Sequence, residues 1–228
     1  MDLTSPAFWA ALGSIILTNV VLSGDNAVVI ALAARSLPPA QQKKAIVFGS
    51  AAAIVMRIIL TLVAVKLLAL PYLKLVGGLL LLYIGIGLMG DEEDEVHHDA
   101  KPMAIGAAVR TILVADLVMS LDNVLAVAAA AQGNDVLLIL GLGISIPLIV
   151  FGSTLLLKVM EKFPIIITAG AALLGWLAGE MMFTDPAVVG WHGGEMPHAV
   201  QIGAGIAGAV LVVLVGTLME RRRQRAKA

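Results

Sequence analysis

The chain has 228 residues, 60% of them hydrophobic and only 14% charged, with mean hydropathy +0.98 and a formal net charge of −1. A soluble domain carries about a quarter charged residues, so this composition excludes an ordinary soluble protein and points to a polytopic membrane protein. The absence of cysteine excludes disulfides and thiolate metal sites, and the near-zero charge, an acidic loop averaged against a basic tail, gives no argument for nucleic acid.

Seven apolar segments are long enough to cross a bilayer at about 20 residues each. They run roughly over 7–33, 45–70, 72–90, 104–131, 135–157, 163–184 and 199–219. The first starts after Asp2, without a basic n-region or a small-residue cleavage site, and is expected to be a retained span rather than a signal peptide. Polar or proline-bearing breaks separate the segments: Arg35 to Lys44 with Pro38 and Pro39, Pro71, the acidic run Asp91 to Asp99, Gly133 to Asp135, Lys158 to Lys162, and Asp185 to Pro197.

Basic residues are distributed unequally over these breaks. With the N-terminus outside, one face holds Arg35, Lys43, Lys44, Lys101, Arg110, Lys158, Lys162 and the tail from Arg221 to Lys227, while the other holds only Lys66 and Lys74. The positive-inside rule therefore orients the chain N-out and C-in, with the tail at 220–228 against anionic lipid.

The first and fourth segments carry the same pattern, Ser23-Gly24-Asp25-Asn26 and Ser120-Leu121-Asp122-Asn123. A shift of 97 residues lays Asn19 on Asp116, Ser23 on Ser120, Asp25 on Asp122 and Asn26 on Asn123. Smaller register changes lay the second segment on the fifth and the third on the sixth. The chain thus reads as one all-α transmembrane domain over 1–228, with repeat one at about 7–90, a loop at 91–103, repeat two at about 104–184 and a seventh helix at about 199–219. An odd number of spans per repeat inverts the second copy, the plan of many secondary transporters. The seventh helix is expected to close or brace the bundle, and a homodimer interface is one role open to it.

Asp25 lies ten positions from Arg35, about 15 Å along a helix, and Asp122 twelve from Arg110, about 18 Å, so both fall near the middle of a core about 30 Å thick. A carboxylate there costs several kcal/mol unless compensated. On a regular helix Asn19, Ser23 and Asn26 share a face and Asp25 points about 100° away, too wide an arc for one tight site, and local unwinding is one solution. Gly24 lowers the cost of unwinding in the first copy; Leu121 in the second offers no such help. The set Asp25, Asp122, Asp116, Asn19, Asn26, Asn123, Ser23 and Ser120 is hard and oxygen-rich, suited to Mn²⁺, Mg²⁺ or Ca²⁺. Met119 and Met181 are assigned to packing.

Arg57 and Glu180 also lie within spans. Counting Asp25, Asp116, Asp122 and Glu180 against Arg57 leaves minus three, and a divalent cation leaves minus one, so a proton is expected on the cluster and proton counter-movement becomes a coupling mechanism. Arg57 is read as charge balance, standing in for the cation in an empty state. The six carboxylates and two imidazoles between Asp91 and Asp99 read first as a solvated linker and second as a weak metal-capture loop. His192, Glu195 and His198 are placed in an outer loop, read first as a glycine-rich loop that Trp191 anchors at the interface and second as metal ligands at release. No phosphate loop, nucleophile elbow or zincin helix is present, so no enzymatic activity and no prosthetic group are expected.

The stretches from Ser23 to Ala31 and from Asp116 to Val124, with Gly143-Ile144-Ser145-Ile146-Pro147, resemble the TerC family of bacterial integral membrane proteins, in particular its shorter YjbE-like branch, over nearly the whole chain. That family falls in the larger LysE-type transporter group, and the resemblance implies the inverted three-plus-three arrangement. It also implies manganese efflux or metal supply to secreted proteins, with Asp25, Asn26, Asp122 and Asn123 as metal ligands and Asp116 beside them. The expectation is a multi-pass bacterial inner-membrane exporter that takes Mn²⁺ as its transported ion, by alternating access around a midplane site. A permease or exchanger for another cation such as Ca²⁺, and a membrane scaffold or metal-delivery partner for secreted proteins, are the alternatives.

Overall fold

The computed structural model describes the backbone of residues 6–68, 70–89, 102–131 and 134–227; the acidic loop with His97 and His98 lies outside the described residues. Among the described residues all regular structure is helical, in nine helices: α1 Pro6–Leu22, α2 Gly24–Arg35, α3 Pro39–Leu68, α4 Leu73–Met89, α5 Pro102–Ala131, α6 Asp135–Lys162, α7 Ile165–Phe183, α8 Pro186–His192 and α9 His198–Lys227.

Among the described residues, four helices are long and apolar enough to cross a membrane, and six spans result if each of two bent pairs counts as one. The bent pairs are α1 with α2, at 51°, and the two limbs of α5, Ile105–Leu121 and Asn123–Ala131, at 68°. All seven apolar segments of the sequence fall on helices. The third corresponds to α4, whose 17 residues rise about 26 Å, short of a bilayer core of about 30 Å. The polar break after α7 contains α8, a short helix that apolar periodicity does not announce.

Local chemistry explains the ends. Asn134 caps α6, its side chain accepting from the Leu137 N–H at 3.0 Å, while Asp135 in the first turn and Lys162 in the last match the helix dipole. Pro147 sits inside α6 without ending it. Buried Ser145 and Ser153 return their hydroxyls to carbonyls one turn back, at 2.9 and 2.8 Å, so neither polar group is left unsatisfied.

Packing places the site. Helix α3 runs along α5, α7 lies between α4 and α9, and α1 and α2 lie against α6. Ile15, Leu32, Ile112, Leu137, Leu142 and Leu174 are buried in the shared core, whereas Trp9, Leu17, Val21, Phe48, Phe151 and Tyr83 are exposed. Such an apolar outer surface suits lipid and not water. The seventh segment, α9, braces the bundle through α7: a methyl group added at Gly179 or Gly208 would run into the facing helix backbone, so only glycine permits this approach.

Candidate functional site

Both copies of the Ser-x-Asp-Asn pattern sit where a helix changes direction. In the first, the α1–α2 break falls at Ser23. The Asn26 N–H, which a continuous helix would give to Leu22, instead donates to Asp25 Oδ1 at 2.8 Å. The Leu22 carbonyl, freed by the same break, accepts from Asn123 Nδ2 at 3.1 Å. One copy of the motif thus satisfies the broken backbone of the other. In the second copy the bend lies between Leu121 and Asn123. Glycine is not what permits the turn: Gly24 is surrounded by open space and is absent from the left-handed glycines, and the Leu121 copy bends further.

Behind these bends lies a buried polar hub. Arg57, on α3 and 1% exposed, donates from Nε to Ser120 Oγ at 2.9 Å, and from Nη1 to Asn19 Oδ1 at 2.6 Å and Ser23 Oγ at 2.7 Å. Its Nη2 forms a short ion pair with Asp116 Oδ1. Equivalent hydrogen bonds complete the two sides, Ser23 Oγ to Asn19 Oδ1 at 3.3 Å and Ser120 Oγ to Asp116 Oδ2 at 3.2 Å. The four partners are the residues that the 97-residue shift pairs, Asn19 with Asp116 and Ser23 with Ser120. Desolvating a guanidinium costs several kcal/mol, and here the offset is one carboxylate and three neutral oxygens.

A second polar group lies apart from this hub. A cavity of about 220 Å³ is lined by Asp25 and Asn123, one from each copy, with Glu180 and Thr184 at the end of α7 and Gln201 on α9. Leu81, Leu177, Met119 and Met181 complete its wall, so the two methionines assigned to packing also border the polar space. Two polar residues of this lining, Thr184 and Gln201, were not among the candidates from the sequence, and Gln201 is the contribution of the helix outside the repeat. A lone polar side chain in an apolar helix was the available signal.

The predicted ligands therefore divide. Asp25, Asn123 and Glu180 come to the cavity, whereas Asn19, Ser23, Asp116 and Ser120 are engaged by Arg57. Asn26 is 2% exposed, with neither side-chain atom hydrogen-bonded. The Asp122 side chain lies outside what the structure describes. Among the described residues no three carboxylate or imidazole side chains converge as a metal cage.

Outside the helices that could span a membrane, Asp185 ties two turns together. Buried between α7 and α8, it accepts from the N–H groups of Tyr72 at 2.9 Å, Leu75 at 3.1 Å and Ala187 at 2.7 Å. Burial pushes its carboxyl up, but the backbone donors outweigh that and hold it below the usual range of 3.8.

Comparison with known proteins gives a consistent pattern. The family model described as "Integral membrane protein TerC family" matches residues 4–225. The chain is 46% identical over 167 residues to the membrane protein YjbE of Bacillus subtilis, covering 73% of this chain and 76% of that one. It is 28% identical over 232 residues to B. subtilis YceF, covering 98% and 88%, and 26% identical over 182 residues to the Escherichia coli inner membrane protein YgdQ, covering 71% and 75%. No solved structure matches the chain significantly.

Proposed function

Since the chain belongs to the TerC family of integral membrane proteins, we propose that it is a divalent-cation exporter of the bacterial inner membrane, with Mn²⁺ as its substrate. The observation that carries the reading is the cavity shared by Asp25, Asn123 and Glu180 within an otherwise apolar helical bundle. Arg57 and Asp116 cancel one another, so the two cavity carboxylates match one divalent ion, with Asn123 and Gln201 as neutral oxygen donors. Oxygen ligands without thiolate favour Mn²⁺, Mg²⁺ or Ca²⁺ over softer ions.

In this reading the chain crosses the membrane seven times, N-out and C-in, with α4 as the shortest span, and the two three-span repeats are inverted. Alternating access moves the repeats around the cavity, and Asp122 joins the ligands as the counterpart of Asp25. A carboxylate returning protonated couples export to proton entry. The name of YgdQ as an inner membrane protein supports the location. Transport rather than catalysis suits a site that presents carboxylates and amides but no activated nucleophile.

The test is the metal content of cells. Deleting the gene should raise cellular manganese and sensitivity to added Mn²⁺, with restoration by the wild-type chain and not by the Asp25→Asn chain. Accumulation of Ca²⁺ instead would favour a permease for that ion on the same scaffold. Unaltered metal content together with loss of metal from secreted proteins would favour a delivery role.

A further inference from the structure

Among the described residues, one hydrogen bond across the site is made by one copy of the motif and not by the other. Asn123 Nδ2 donates across the site to the carbonyl of Leu22 at 3.1 Å. Under the 97-residue shift Asn123 corresponds to Asn26 and Leu22 to Met119, so the matching bond would run from Asn26 Nδ2 to the Met119 carbonyl. It is not made: Asn26 is 2% exposed and neither Oδ1 nor Nδ2 has a hydrogen-bond partner. An unsatisfied buried amide costs more than a typical hydrogen bond contributes, so natural proteins keep few of them.

The surroundings of the two asparagines differ in the same sense. Asn123 and Met119 line the cavity, and neither Asn26 nor Leu22 does. The hub engages both copies, because Arg57 holds Asn19 and Ser23 on one side and Asp116 and Ser120 on the other, although only the second side supplies a carboxylate. Packed helices switch between discrete arrangements and do not deform continuously, and a hub that grips both copies, with one bond made and its counterpart unmade, is the pattern expected of one member of a pair of states.

We propose that Asn123 and Asn26 form an exchangeable latch: the Asn123–Leu22 bond holds the described state, and an Asn26–Met119 bond holds the alternate state, in which the cavity beside Asp25 closes and its counterpart beside Asp122 opens. This rests on the alternating-access reading above and adds to it the pair of groups that sets the balance between states. Asn26 and Asn123 are then positioning residues, acting through the backbone of the opposite copy, in addition to any contact with the ion. Arg57 stays engaged in both states. Because the made and unmade bonds are chemically alike, the two states lie close in free energy, as a carrier that must visit both requires.

The chain contains no cysteine, so single reporters can be introduced without removing any. Gln201→Cys reports on the observed cavity, which Gln201 lines, and Leu22→Cys reports on the counterpart, since Leu22 corresponds to the cavity-lining Met119. Alkylation rates with a water-soluble maleimide are measured on full-length protein in membranes open to the reagent on both faces, without metal. The ratio of the Gln201→Cys rate to the Leu22→Cys rate follows the equilibrium between states. Asn123→Ala should lower that ratio about fivefold, the shift set by one neutral hydrogen bond. Asn26→Ala should raise it about fivefold, and the double variant should return it to within twofold of the parent. Should either alanine variant fail to give monodisperse protein, Asn→Gln at the same position moves the amide by one methylene and should shift the ratio in the same direction. A ratio that moves the same way in both variants, or by less than twofold in either, overturns the latch. Because the readout needs no ion, it can fail while Mn²⁺ transport stands, and transport can fail while it stands.

Discussion

Arg57 on α3 and Asp116 on α5 form an ion pair inside an apolar bundle, 1% and 5% exposed, and the rest of the guanidinium is spent on Asn19, Ser23 and Ser120. A buried pair of this kind adds little over a well-packed apolar substitute, but either charge alone is costly. Arg57→Met should therefore destabilise the protein by about 3–5 kcal/mol, and Arg57→Met combined with Asp116→Leu should regain most of that. Thermal unfolding of the two single variants and the double variant in detergent measures the coupling; additive losses would contradict the pairing.

Asp25 uses Oδ1 to accept the Asn26 N–H at 2.8 Å, and an asparagine can accept the same bond. Asp25→Asn should therefore leave unfolding within about 1 kcal/mol of wild type while lowering Mn²⁺ affinity at least ~10-fold, through loss of a charged ligand. Glu180→Gln should behave similarly if both carboxylates hold the ion. Titration calorimetry with MnCl₂ on the purified chains reads the affinity, and unaltered binding in both variants would remove the cavity from the site.

Asp185 gives a stability term that depends on pH. Its folded-state carboxyl titrates below the usual 3.8, so its contribution is complete above that value and is lost as the pH falls through the lower folded-state value. Asp185→Ala abolishes the acceptors for Tyr72, Leu75 and Ala187, and Tyr72 holds a left-handed φ of 69° that those bonds help to fix. The expected loss is about 2–4 kcal/mol near neutral pH, shrinking below about pH 4. Melting temperatures of wild type and variant across pH 3 to 7 measure it, and a constant difference would show that ionisation is not involved.

Gly179 and Gly208 let α7 and α9 approach at backbone distance. Gly179→Val should force the helices apart and cost 2 kcal/mol or more, about the penalty of overpacking a core, whereas Gly203→Ala, where open space surrounds the glycine, should cost less than about 1 kcal/mol. Unfolding by a denaturing detergent ranks the two, and equal losses would mean that the close approach is not what stabilises the pair.

What could be read from the sequence was whatever repeats or costs energy locally. Asp25 and Asp122 stand out because each interrupts an apolar run, and the 97-residue shift ties them together; both helices bend at those places. The division of the ligand set was not legible, because it depends on the reach of one side chain: Arg57 meets Asn19, Ser23, Asp116 and Ser120 across sequence separations of 34 to 63 residues. The expectation that Gly24 eases the break also proved incomplete, since the Leu121 copy bends without a glycine. Asp185 was read only as the start of a polar break, yet Asp185-Pro186 carries a helix-start signal, a capping carboxylate before a proline at the first helical position. Its bonds to Tyr72 and Leu75, more than 100 residues away, have no local signature.

The most direct measurement is Mn²⁺ uptake into inverted membrane vesicles carrying the wild-type, Asp25→Asn or Asp122→Asn chain at equal expression. Uptake by wild type, reduced at least ~10-fold in both variants, is the expected result. Uptake at wild-type rates in both variants would contradict a cation path through the paired aspartates.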